Sequence, residues 1–150
     1  MTSKWAFSDR LAICHMSGCI TYEEFLEMKE TFFERCAPDM IVDFSEADLS
    51  CLSNDEIRSI LSKVVDSKPD CVKKRIEQNG FSIWIGGNDL GYGLGRMIEI
   101  YAEIMDYHCP VYAVKTAEDA IKILSRTIER RMLRILGIDE REGENGNHCK

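Results

Sequence analysis

No two cysteines in this chain are spaced C-x-x-C, although there are seven: Cys14, Cys19, Cys36, Cys51, Cys71, Cys109 and Cys149. Zinc-ribbon, iron–sulfur and thioredoxin-like chemistry all need such a spacing, so none is expected, and no metal or cofactor is assigned. The odd number and scattered positions read as small buried hydrophobes kept reduced in a reducing compartment. No apolar run approaches the ~20 residues of a membrane helix. The first ten residues lack the apolar centre of a signal peptide, so a cytoplasmic location is the expectation. Acids outnumber bases, 26 Asp and Glu against 19 Lys and Arg, for a net charge of −7, which argues against general nucleic-acid or anionic-membrane binding. Gly-Lys-Ser/Thr is absent, which excludes a P-loop, and no motif asks for acid–base or nucleophilic catalysis. A non-enzyme is therefore expected.

What is present suits an ordinary globular protein: 150 residues, 45% hydrophobic and 30% charged. A chain of this length forms one domain and buries roughly 70% of its unfolded surface. Residues 4–7 and 10–16 read as two short strands around a Ser8-Asp9 turn. Thr21 and Glu24 form a capping box, with Ile20 and Phe25 as its hydrophobic staple. The helix they open runs to about Arg35, and Pro38 ends it. Residues 40–44 are a short buried strand. Ser53 and Glu56 make a second capping box, with Leu52 and Ile57 as staple, for a helix to about Val65. A shorter helix starts at Ser67-Lys68-Pro69-Asp70, with proline favoured at its first position, and stops at Asn79-Gly80. The uncharged run 81–85 reads as a central strand. A glycine-rich turn over 86–96 leads into a helix to about Tyr107. Residues 111–114 form a strand. Thr116 opens a last helix with the stripe Ala117, Ile121, Leu124, Ile128, Met132 and Ile135, closed by Gly137. The expected organisation is one domain over 1–136 with an extended last helix, then a disordered polar tail over 137–150. Strands alternating with helices imply a mixed, largely parallel sheet with helices packed against it.

Three segments carry a family resemblance over about residues 5–125. Ser17-Gly18-Cys19-Ile20-Thr21-Tyr22-Glu23-Glu24 resembles a strand-to-helix "G-x-I-T-x-E-E" entry. Ile41-Val42-Asp43-Phe44-Ser45 resembles a "hydrophobic-V-D-x-S" central strand. Leu94-Gly95-Arg96-Met97, followed by residues 114–124, is similar to a "G-L-x-R-M" helix start and a terminal "E-x-A" helix. Together they resemble the STAS superfamily, and more closely the SpoIIAA-like (STAS/Sec14-like) proteins of bacteria. The resemblance implies an α/β fold of order ββαβα(α)βαβα with about five strands. It also implies a small regulatory protein whose partner is a kinase-like anti-sigma factor. Members related to anti-sigma-factor antagonists are switched off by phosphorylation of a serine within Asp-Ser-Ser-Gly. The matching stretch here is Cys51-Leu52-Ser53-Asn54, which shares only Ser53 and lacks the aspartate and the glycine.

The residues themselves leave Ser53 two roles. Its hydroxyl can cap the helix, worth roughly 1 kcal/mol. As a phosphosite it would set new charge on the positive end of the helix dipole, against repulsion from Asp55 and Glu56. The glycine turn is the basis of an alternative, a binder of nucleotide, lipid or another anion using Asp43, Asp89, Gly91, Gly93, Gly95 and Arg96. Gly91-x-Gly93-x-Gly95 follows a strand and opens a helix, so its N–H groups can face a phosphate. Its spacing is one residue short of the dinucleotide fingerprint, and tight backbone geometry is the other reading of such a turn. Arg96, a cation in a first helical turn, needs an acid such as Asp89 or an anionic ligand to offset the dipole. Asp43 lies where α/β sheets place ligands, or caps the neighbouring loop. His15 and His108 read as structural. The last helix carries Arg126, Arg130, Arg131 and Arg134, a solvated face or a dock for an acidic partner, and its long apolar stripe suggests a homodimer.

Overall fold

A computed structural model describes residues 2–64 and 68–137. Of the expected tail over 137–150, residues 138–150, with His148 and Cys149, lie outside the described residues, as does Ser67; the helix expected to start there is described from Pro69. The chain divides into two compact units, Met1–Ala117 and Glu118–Lys150.

The first unit holds five strands and four helices: β1 (Thr2–Phe7), β2 (Leu11–Cys19), α1 (Tyr22–Arg35), β3 (Asp39–Asp48), α2 (Asn54–Val64), α3 (Pro69–Glu77), β4 (Ser82–Ile85), α4 (Asp89–Ile104) and β5 (Val111–Val114). Helix α5 (Ala117–Leu136) follows, and from Glu118 it makes up the described part of the second unit. The order matches, element for element, the one the resemblance implies. The sheet is mixed, with β1 antiparallel to β2 and the pairs β2–β3, β3–β4 and β4–β5 parallel.

The strands lie in sequence order across the sheet, β1 to β5. Parallel crossovers share one hand, so a sheet that always steps in the same direction puts all its crossover helices on one face. The core reflects this. Alternate residues Ala12, Cys14 and Met16 of β2, Met40, Val42 and Phe44 of β3, and Trp84 of β4 pack in one cluster with Phe25, Met28 and Phe32 of α1, Ile60 of α2, Cys71 of α3, and Leu94 and Ile98 of α4. Phe25, Phe44 and Trp84 stack at its centre, with ring centroids 5.5–6.4 Å apart. The other residues of the same strands, Ile13, His15, Ile41, Asp43, Ile83 and Ile85, point to the opposite face by the two-residue strand period.

The structure corrects several expectations. Cysteines 19 and 51 form one disulfide and cysteines 36 and 71 another, so four of the seven are not the reduced hydrophobes the spacing suggested. Cys14 and Cys109 are free and buried, as that reading expected, and burial pushes the Cys14 thiol up to about 12. Helix α1 ends at Arg35 as expected, but what closes it is the cap residue Cys36, which takes the left-handed conformation (φ 53°) and donates its N–H to Phe32 O, two residues before Pro38. Strand β3 runs on to Asp48 instead of stopping at 44, because its far half pairs with the end of β2 beyond a register shift. Helix α4 stops at Ile104 rather than Tyr107, and Asp106 beyond it is left-handed.

Candidate functional site at the carboxyl edge of the sheet

The carboxyl ends of the parallel strands gather most of the candidate residues. Two capping boxes stand there. Thr21 Oγ1 accepts the N–H of Glu24 (3.3 Å) and the Glu24 carboxylate accepts the N–H of Thr21 (2.9 Å). Ser53 Oγ accepts the N–H of Glu56 (3.2 Å) and the Glu56 carboxylate accepts the N–H of Ser53 (2.7 Å). The two helix starts share a six-residue pattern, Cys19-Ile20-Thr21-Tyr22-Glu23-Glu24 and Cys51-Leu52-Ser53-Asn54-Asp55-Glu56. Each cysteine stands two residues before its cap, and the Cys19–Cys51 bond joins the two caps with a Cα separation of 6.2 Å. Between the caps, Asp48 accepts from the N–H and hydroxyl of Ser50, and Leu49 and Leu52 are buried. Ser53, Asn54 and Asp55 are exposed.

Asp43 sits beside His15 in the β2–β3 register. His15 Nδ1 is 2.9 Å from Asp43 Oδ2 and Nε2 is 3.2 Å from Glu46 Oε2. The hydrogen bonds to Asp43 and then Glu46 raise the His15 pKa above its ordinary 6.5. Burial acts to raise the Asp43 carboxyl, but bonds from the Ser45 hydroxyl and backbone N–H and from His15 outweigh it and hold the pKa below the ordinary value. His15 is thus a hydrogen-bonded structural histidine, but its partner Asp43 lies 28 residues away and only the strand register brings the two together.

The sign of this coupling follows from linkage. The raised His15 stabilises the fold fully below about pH 6.5 and loses that contribution as pH rises through its folded value. The depressed Asp43 contributes above about pH 3.9 and loses it as pH falls through its own folded value. His108 has the opposite sign to His15: burial, then the neighbouring Arg75, lowers it to about 4, so its contribution is present above 6.5 and is lost as pH falls towards 4. Wild type is expected to lose melting temperature as pH rises above about 6.5, and His15→Gln to remove that fall; an unchanged slope in thermal melts would remove the ion-pair account.

The glycine turn is built by backbone contact. A Cβ on Gly86 would lie 2.1 Å from Tyr92 N, and one on Gly91 would lie 2.3 Å from Gly86 O. A Cβ on Gly95 would be 3.2 Å from Ala113 Cβ, so this glycine sets α4 close to the sheet. Gly93 alone of the three faces open space. Four of the amides here are bonded: Gly86 N–H to Val114 O, Gly87 N–H to Lys115 O, Asn88 N–H to Gly86 O and Gly91 N–H to the Asn88 side chain. Gly87 (φ 72°) lies against Ser45, which brings this turn beside the Asp43 loop. Asp89 is exposed, 4.0 Å from Lys115 Nζ. Helix α4 begins at Asp89, so Arg96 is its eighth residue and not in the first turn as expected, and it pairs with Glu99 one turn further along (2.5 Å), not with Asp89.

Along α5, Ile121, Ile128, Met132 and Ile135 of the expected stripe are exposed. No helix among the described residues is long and apolar enough to cross a membrane, and no group of three or more metal-ligating side chains occurs among them.

No family model matches the sequence. No curated protein matches it either. Among solved structures, the chain is similar to the anti-sigma factor antagonist SpoIIAA in its unphosphorylated form, with 8% identity and a TM-score of 0.47, covering 83% of this chain and 98% of that one.

Proposed function

We propose that the protein is a non-enzymatic regulatory binding module that presents the loop 49–53 and helix α2 to a protein partner, with Ser53 as the control point. The sequence resemblance to SpoIIAA-like proteins suggests the partner class, a kinase-like anti-sigma factor. The observation that carries the reading is the position of Ser53: exposed, at the start of a helix whose first turn is open to solvent. A phosphate there would meet the α2 dipole favourably. It would displace Glu56 from the Ser53 N–H and repel Asp55, so it changes the charge of the surface more than the stability of the fold.

Strand order favours this reading over the small-ligand alternative. Ligand crevices in open α/β sheets form at a switch point, where successive crossovers go to opposite faces. The run β2 to β5 has no such point, since α1 to α4 share one core. The Arg96–Glu99 pair also leaves less for an anion to bind.

The test is capture from the native host's extract by wild type, Ser53→Ala and Ser53→Asp. Aspartate is as good a cap as serine, so the fold survives that change; alanine loses roughly 1 kcal/mol of capping but adds no charge. Wild type and Ser53→Ala should hold the same partner and Ser53→Asp should lose it. Equal capture by all three removes Ser53 as a switch.

A further inference from the structure

The two disulfides differ in a way that gives one of them a second role. Cys36–Cys71 is enclosed: Cys71 is 4% exposed and its Sγ contacts Phe33 O at 3.3 Å, while Cys36 is half-buried. Cys19 and Cys51 are both exposed. Disulfide exchange requires a thiolate to reach a sulfur, so access separates the two bonds.

We infer that Cys19–Cys51 is a site of reversible exchange with a dithiol, and that its opening releases the clamp between the first turns of α1 and α2. A thiolate of the dithiol attacks one of the exposed sulfurs. A mixed disulfide forms and the other cysteine leaves as a thiolate that takes up a proton. The second thiol of the dithiol then attacks the mixed disulfide and closes a ring. Two electrons and two protons pass to the protein; the dithiol becomes a disulfide and Cys19 and Cys51 become thiols. An oxidised dithiol reverses the sequence.

The clamp has work to oppose. It holds two helix amino termini, and therefore two positive dipole ends, close together. It also gathers Glu23, Glu24, Asp55 and Glu56 of the two first turns, with Asp48 of the adjoining strand end. Glu24 and Glu56 are bonded to their cap amides, so these acids are fixed in place while the bond is closed. When the bond opens, buried Leu49 and Leu52 and the Leu52 N–H to Leu49 O bond keep the loop folded. The like-charged helix starts are then free to separate. Any consequence for partner binding rests on the function proposed above; the exchange itself does not.

The experiment uses the whole chain. Free thiols are blocked first, the protein is treated with graded dithiothreitol, and newly exposed thiols are tagged with a second alkylating reagent and mapped by mass spectrometry. Cys19 and Cys51 should take the second tag together and before Cys36 and Cys71, and oxidised dithiothreitol should restore the bond when tagging is omitted. Amide hydrogen exchange over 49–57 should then quicken several-fold while 40–44 stays unchanged, and Cys19→Ser/Cys51→Ser should exchange at the quicker rate without any reductant. Cys36–Cys71 opening first, or at the same dithiol concentration, overturns the inference. So does unaltered exchange over 49–57 after reduction. Neither readout needs a partner, so its failure is distinguishable from failure of the Ser53 reading.

Discussion

Arg75→Met is expected to destabilise the protein by about 3–5 kcal/mol, the range for breaking a buried polar network. Arg75 is fully buried at the amino end of the strands, opposite to the capped edge. Its guanidinium donates from Nε to Pro38 O (3.0 Å), from Nη2 to Phe81 O (3.1 Å) and Ser82 Oγ (2.7 Å), and from Nη1 to Tyr107 OH (3.3 Å). It also lies 3.3 Å from His108 Nε2 and 5.2 Å from the Phe32 ring centroid. One side chain on α3 therefore fastens the loop before β3, the start of β4 and the connection between α4 and β5. Methionine fills much of the space but leaves Pro38 O and the two hydroxyls without this donor. Phe81 O keeps the Met40 N–H, which limits the loss there. Arg75→Lys should be nearly as damaging, because one ammonium cannot reproduce a planar fork that reaches three segments. Urea denaturation of the three proteins checks this; a loss below about 1 kcal/mol for methionine would mean the network only offsets the desolvation of the charge.

The second large effect separates two nearby glycines, Gly86 in the loop after β4 and Gly93 inside α4. Gly86→Ala should cost about 3 kcal/mol or more, or prevent folding, because its Cβ meets the backbone of Tyr92 at 2.1 Å and the backbone must shift. Gly93→Ala should stabilise by about 0.5–1 kcal/mol, since its Cβ points into open space within a helix. Chemical denaturation of both variants checks the signs. A Gly93→Ala protein that is destabilised would contradict the open space at this position.

These cases show where the sequence is informative. Both capping boxes were legible because Thr21–Glu24 and Ser53–Glu56 are three residues apart, and a local hydrogen bond depends on little else. The strand order and the shared face of the helices were not, since crossover direction is set by the whole sheet. The His15–Asp43 pair and both disulfides join residues 28 to 35 positions apart, and only strand register and packing bring them together. The end of α1 near Arg35 was legible, with Pro38 as the obvious stop; the left-handed Cys36 that caps it carries no comparable signature. Arg75 lies on a short, polar helix and offers no sign in the sequence that its charge is buried.

The central claim is that the surface around Ser53 meets a protein partner under charge control. Its most direct test is a photo-crosslinking residue placed at the exposed Asn54, with a second protein carrying it at the exposed Glu103 on α4 as a control, each in wild-type and Ser53→Asp backgrounds and irradiated in host extract. The account predicts one defined protein adduct from position 54 that disappears with Ser53→Asp and is not formed from position 103. An adduct at position 54 of equal yield in both backgrounds, or the same adduct from position 103 alone, would contradict it.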